Sequence, residues 1–112
     1  MKAIDLYSGI GGWSIGLMLN DIDVIRSYEI WNPAVTTSNL NLGKKNSPIN
    51  IRNQNFQDIE EKIDIVVGSP PCTQFSYSNR GGSGNIDEGI SDLYKFFECI
   101  HILKPKYWAM EN

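Results

Sequence analysis

The feature that most restricts the fold is the opening of the chain. The apolar run Ala3-Ile4-Asp5-Leu6 passes through Tyr7-Ser8-Gly9-Ile10-Gly11-Gly12 into a helix-like stretch over residues 13–19. A strand that turns on closely spaced glycines straight into a helix brings backbone N–H groups and a helix N-terminus close to a ligand. The rest of the chain continues the alternation. Residues 23–28 read as a second strand. A helix is expected behind Asn32-Pro33, ending near Gly43, where a residue tolerant of positive φ is wanted. Residues 48–52 and the mostly apolar residues 63–67 read as further strands. Leu93, Phe96, Phe97, Ile100 and Leu103 recur at helical spacing up to Pro105, and residues 107–110 begin a fifth strand. The expected class is α/β, an open, mostly parallel sheet with flanking helices.

A chain of 112 residues with 41% apolar content has room for one domain with a real core. It opens without a basic flank or long apolar stretch, and Cys72 and Cys99 lack metal-type spacing. These features lead to the expectation of a cytoplasmic protein with two free thiols, no metal site and no membrane span. The net charge of -3, with scattered basic residues, disfavours a nucleic-acid grip by this chain alone, because phosphate neutralisation needs clustered Lys and Arg.

Gly9, Gly11 and Gly12 form the turn expected to receive a cofactor. Ser14 stands where a dinucleotide fingerprint needs its third glycine, which disfavours a nicotinamide oxidoreductase. Glu29 ends the second strand about twenty residues further on, where a ribose is commonly held through its hydroxyls. Asp58 is a candidate acceptor for an adenine amino group, with Ile30 and Ile59 as walls for the ring. A single acid is more often a solvated surface charge, and position after the glycine turn is what singles out Glu29. Gly68-Ser69-Pro70-Pro71-Cys72 follows a buried strand, so a rigid backbone presents the thiol at the carboxyl edge of the sheet, as a nucleophile requires. Cys99, on the apolar helix, reads as a core residue, and His101 as a packed or surface one. Residues 76–90, rich in glycine and small polar side chains, read as a long loop of the lid type.

Three segments in order resemble the cytosine-5 methyltransferase family. Asp5-Leu6-Tyr7-Ser8-Gly9-Ile10-Gly11-Gly12 is similar to its opening motif, Pro70-Pro71-Cys72 with Phe75-Ser76 to its catalytic motif, and Glu111-Asn112 to the start of its Glu-Asn-Val motif. The Pro-Pro-Cys element is the most specific of the three. The resemblance implies a Rossmann-like S-adenosylmethionine-dependent methyltransferase fold, incomplete on its C-terminal side. It implies that Cys72 attacks carbon 6 of a flipped cytosine while Glu111 hydrogen-bonds or protonates ring nitrogen 3. It also implies that Tyr7 packs on the cofactor, that Asp5, Pro71 and Leu93 belong to the cofactor site, and that residues 76–90 match the family's mobile loop. Thr73-Gln74 departs from the family, which carries Gln directly after the cysteine, and Trp31 stands where many members have Asp.

The expected activity is methyl transfer from S-adenosylmethionine to cytosine in DNA, in the cytoplasm or nucleoid, or in the nucleus of a eukaryote. Residues 1–112 would be a partial catalytic domain without a target recognition domain. It would act as a fragment or as one subunit of a split enzyme, with a second polypeptide carrying the remaining motifs. Two alternatives stand beside this: a transfer-RNA cytosine methyltransferase, and a non-catalytic S-adenosylmethionine-binding or partner-binding module.

Overall fold

The computed structural model describes residues 1–73 and 85–112. Four parallel strands, β1 (Lys2–Leu6), β2 (Asp23–Tyr28), β3 (Ile65–Gly68) and β4 (Tyr107–Met110), form a sheet in the order β2-β1-β3-β4. Three helices, α1 (Gly12–Met18), α2 (Asn32–Leu42) and α3 (Ile86–Leu103), make the crossovers together with two 3-10 turns at Ile51–Asn53 and Phe56–Asp58. The α/β class expected from the alternation is the one observed.

Side-chain alternation along β1 and β3 divides the core. Ile4, Leu6 and Val66 point to one face, where Phe96 and Cys99 of α3 join Phe56, Ile51 and Ile59 from the 3-10 segments. Ala3, Val24, Ile65 and Val67 point to the other, against Trp13 and Leu17 of α1. Both faces of β1 and β3 are covered, which is why these strands are nearly continuous apolar runs. Burial pushes the Cys99 thiol up to about 12, with the charge of Glu98 adding to it, so this cysteine is an inert core group as expected. On β4 the burial is incomplete: Tyr107 and Trp108 are about half exposed, and Phe97 packs edge-on against Trp108. No helix among the described residues is long and apolar enough to cross a membrane.

Two sequence expectations are corrected. Residues 48–52 are not a strand. Pro48 has no N–H for a ladder, and the Asn50 side chain accepts from Arg52 N at 3.0 Å, folding the backbone into the 3-10 turn. A single backbone bond, Ile49 N to Glu29 O at 2.7 Å, ties this segment to the end of β2. The expected loop is also shorter, because α3 starts at Ile86. Asn85 caps it by accepting from Glu88 N at 3.2 Å, and Asp87 and Glu88 sit in its first turn, where the helix dipole favours acids. The apolar periodicity begins at Leu93, about two turns later, which hid this start. Residues 76–84 of that expected loop, and Phe75-Ser76 of the catalytic motif, lie outside the described residues. At the other end of the sheet, α2 stops at Gly43 with φ 62°, as its sequence required.

Candidate functional site

A cavity of about 600 Å³ opens at the carboxyl ends of β1 and β2, bounded by Tyr7, Gly9, Glu29, Ile30, Asn50, Arg52, Ser69, Pro71 and Asp92 among others. This is the edge of an open α/β sheet where ligands bind. Gly9 adopts φ 53° and Tyr7 φ 56°, left-handed conformations that fold the turn back over the strand ends. Glu29 staples this turn to the start of α2: one carboxylate oxygen accepts from Gly9 N at 2.9 Å and the other from Trp31 N at 2.7 Å. Each oxygen keeps a lone pair for a further donor.

Asp5 lies beneath the turn, fully buried, and does not line the cavity. It accepts from Ser14 Oγ at 2.6 Å and Ser14 N at 3.1 Å, anchoring the first turn of α1. Its other oxygen has no hydrogen-bond partner among the described residues. Burial raises the Asp5 pKa to about 6, against the two Ser14 bonds that lower it, with the charge of Glu29 adding to the rise. The folded state therefore holds the proton more tightly than the unfolded chain, whose value is 3.8. The resulting stabilisation, about 3 kcal/mol in order of magnitude, is complete below pH 4 and is lost as pH rises through about 6. Asp5→Asn is expected to remove this component. The stability difference between parent and variant, from urea unfolding between pH 4 and 8, should favour the parent at the acid end; a difference independent of pH would refute the assignment.

Gly11 caps α1 with φ 95°, and a Cβ on it would lie 2.9 Å from Ser38 Oγ, so this glycine lets α1 approach α2. Gly12 borders a second recess with Trp13, Gly16, Leu17, Ser69 and Glu111. Ser69 lines both hollows, and its Oγ accepts from Trp13 Nε1 at 3.0 Å.

Cys72 is exposed, between Pro71 and Thr73, which both line the cavity. Its loop is tied to the end of β4, for Glu111 N donates to Gly68 O at 3.0 Å and Asn112 Nδ2 to Pro70 O at 3.1 Å. The thiol and the Glu111 carboxylate are thus carried on the ends of neighbouring strands, β3 and β4, whose register pairs Gly68 with Met110.

Asp58 and Ile59 are not brought to the cavity. Asp58 borders a separate recess with Arg26, Glu60 and Glu61, and Ile59 is buried in the core. The 3-10 turn delivers Asn50 and Ile51 to the cavity wall instead. Leu93 is likewise absent from the lining, where its neighbour Asp92 stands. Sequence reading missed Asn50, Arg52 and Asp92. Pro48 and Asn50, either side of Ile49, were the available signals of a turn in place of a strand.

The family model of the C-5 cytosine-specific DNA methylases matches residues 1–112, the whole chain. The chain belongs to that family. Among curated relatives, the Type II methyltransferase M.HindV of Haemophilus influenzae is 34% identical over 118 residues, covering 100% of this chain and 37% of the relative. M.HgiGI of Herpetosiphon aurantiacus, another Type II methyltransferase, is 28% identical over 123 residues, covering 100% of this chain and 90% of the relative. A solved E. coli prophage protein, described as a DNA modification methyltransferase, superposes with TM-score 0.77 at 26% identity, covering 98% of this chain and 31% of the other. The chain thus spans little more than a third of M.HindV and about a third of that structure. Its sheet and crossovers are those of the Rossmann-like methyltransferase fold. Within this C-5 methylase chain the glycine turn, Pro70-Pro71-Cys72 and Glu111-Asn112 converge on one edge of the sheet.

Proposed function

We propose that this chain carries the S-adenosylmethionine cavity and the nucleophile of an enzyme that methylates carbon 5 of cytosine in DNA. The observation that carries the reading is the seating of Cys72 and Glu111 on adjacent strand ends, beside Ser69, which borders the cavity lined by Tyr7 and Glu29.

The residues present fit the cofactor. A cavity of about 600 Å³ suits a small organic ligand. Glu29 offers its remaining lone pairs to the two ribose hydroxyls, while the Tyr7 ring and Ile30 offer apolar walls to adenine. When bound, S-adenosylmethionine supplies a methyl group on a sulfonium, an electrophile that carbon 5 of free cytosine is too poor a nucleophile to take.

Cys72 and Glu111 change that reactivity. The Cys72 thiolate adds to carbon 6, and Glu111 donates a proton or hydrogen bond at nitrogen 3, so the displaced electron pair is held in the ring and available at carbon 5. After carbon 5 has taken the methyl group, a base removes its proton, the carbon 5–carbon 6 double bond re-forms, and the Cys72 sulfur leaves as thiolate. The cytosine must leave the base stack for this. With a net charge of -3, this chain leaves the grip on DNA to a recognition part outside these residues, on further chain or on a second polypeptide. The half-exposed Tyr107 and Trp108 on the edge strand β4 suit continuation of the sheet by that part.

S-adenosylhomocysteine binding, measured by calorimetry, tests the cavity. The parent chain is expected to bind, and Glu29→Ala to weaken binding roughly tenfold or more through loss of a charge-assisted pair of hydrogen bonds. Equal affinity in the two proteins would reject the ribose assignment. Methyl transfer by the protein reconstituted with its recognition part should favour duplex DNA over transfer RNA, and the reverse preference would move the substrate to RNA.

A further inference from the structure

Three side chains from distant parts of the sequence meet at one wall of the cavity. Asp92, on α3, is buried, and its two carboxylate oxygens accept from Arg52 Nε at 3.0 Å and Nη2 at 2.9 Å, a two-point ion pair. The Tyr7 hydroxyl donates to Asp92 as well, lying 3.0 Å from its backbone oxygen and 3.2 Å from Oδ1. Arg52 belongs to the 3-10 turn beyond β2, and Tyr7 to the glycine turn beyond β1. All three residues line the cavity.

A buried carboxylate is unfavourable without partners, and this one spends its acceptors on two groups facing the same hollow. The Tyr7 backbone is left-handed, a conformation uncommon for a residue with a side chain, so the hydroxyl bond holds the ring from its far end. Burial first, and then the charge and hydrogen bond of Asp92, push the Tyr7 phenol well above its usual range, so it remains a donor.

We propose that Asp92 is a positioning residue for the nucleoside end of the cavity. It holds the Tyr7 ring and the Arg52 turn as a single clamp that sets the plane on which adenine lies. The proposal rests on the S-adenosylmethionine reading above, and goes beyond it in assigning cofactor affinity to an ion pair in the cavity wall that acts by holding Tyr7 and the turn in place. The clamp also couples the cavity to α3, the helix that follows the Cys72 segment in the chain.

The test uses the full chain with two ligands, S-adenosylhomocysteine and methylthioadenosine, which share the nucleoside and differ in the amino-acid end. Asp92→Asn and Tyr7→Phe are each expected to weaken both ligands about tenfold and by the same factor. The double variant should bind no more weakly than Asp92→Asn alone, since both substitutions break one coupled unit. A stability role without positioning would instead lower the melting temperature and leave affinity unchanged. Tyr7→Phe removes one oxygen and keeps the ring, so it tests the clamp even where Asp92→Asn fails to fold. Unchanged affinity in Tyr7→Phe, or loss for S-adenosylhomocysteine alone, overturns the clamp while parent binding upholds the cofactor reading. A parent that binds neither ligand overturns both.

Discussion

A duplex containing 5-fluorocytosine is expected to form a covalent complex with this protein that survives denaturing electrophoresis, once the recognition part and S-adenosylmethionine are supplied. Cys72→Ala should abolish that complex and lower methyl transfer by roughly a thousandfold or more, since no other described group is placed to add to carbon 6. The reason is chemical. Fluorine at carbon 5 leaves no proton to remove after methylation, so the double bond cannot re-form and the sulfur stays attached. Cys99 offers no substitute, being enclosed beside Phe96 with a thiol pushed up to about 12. A complex that forms equally in Cys72→Ala would remove this residue from the nucleophile's role. Transfer at the parental rate without the thiol would do the same.

Gly68→Ala is expected to cost about 3 kcal/mol of stability, at the upper end for an added methyl in a closed site. A Cβ there would stand 2.7 Å from the Leu6 carbonyl oxygen and 3.0 Å from both Leu6 Cβ and Phe96 Cε2. The first contact is backbone of the central strand, and the last is a ring with no exposure at all, so neither can step aside cheaply. For a domain with a total stability of about 5–15 kcal/mol this is a large fraction, and the melting temperature should fall by roughly 10 °C or more. Gly16→Ala is the control. It lies within α1 with no atom of the described residues beyond its own helix within 4 Å of the added methyl, and should gain up to about 1 kcal/mol from helix propensity. Thermal unfolding of the two variants in parallel decides the matter: equal melting temperatures would mean that the site around Gly68 relaxes freely.

The sheet and the edge that carries Cys72 were legible because their sequence signals are local. The apolar run of β1, the glycines behind it and the prolines before Cys72 each dictate backbone geometry within a few residues. Glu29 was found by its place after β2, and the structure seats it on the cavity. Asp58 was chosen by the same kind of reasoning and lies elsewhere, because the choice assumed that residues 48–52 continue as a strand. Once Asn50 turns that segment into a 3-10 turn, the residues facing the cavity become Asn50, Ile51 and Arg52. Leu93 gave way to Asp92 for a related reason. Helical spacing marks the side of α3 that meets the core, and no local pattern reveals that an acid on that helix finds an arginine 40 positions earlier. Long-range polar pairs of this kind leave no periodic trace.

The position of β1 has a consequence for how the chain acquires its shape. β1 precedes its two partners in the sequence and lies between them in the sheet, flanked by β2 on one side and by β3, which begins at Ile65, on the other. During synthesis β1 and β2 can pair early, but that pair exposes apolar rows until residues 65–68 have emerged and Phe96 has closed over them. Parallel pairings separated by this much chain are intrinsically slow to form. The half-made sheet therefore spends the longest part of its folding time with Ile4 and Leu6 uncovered, and a nascent chain that pauses before residue 65 would be the form most in need of a chaperone.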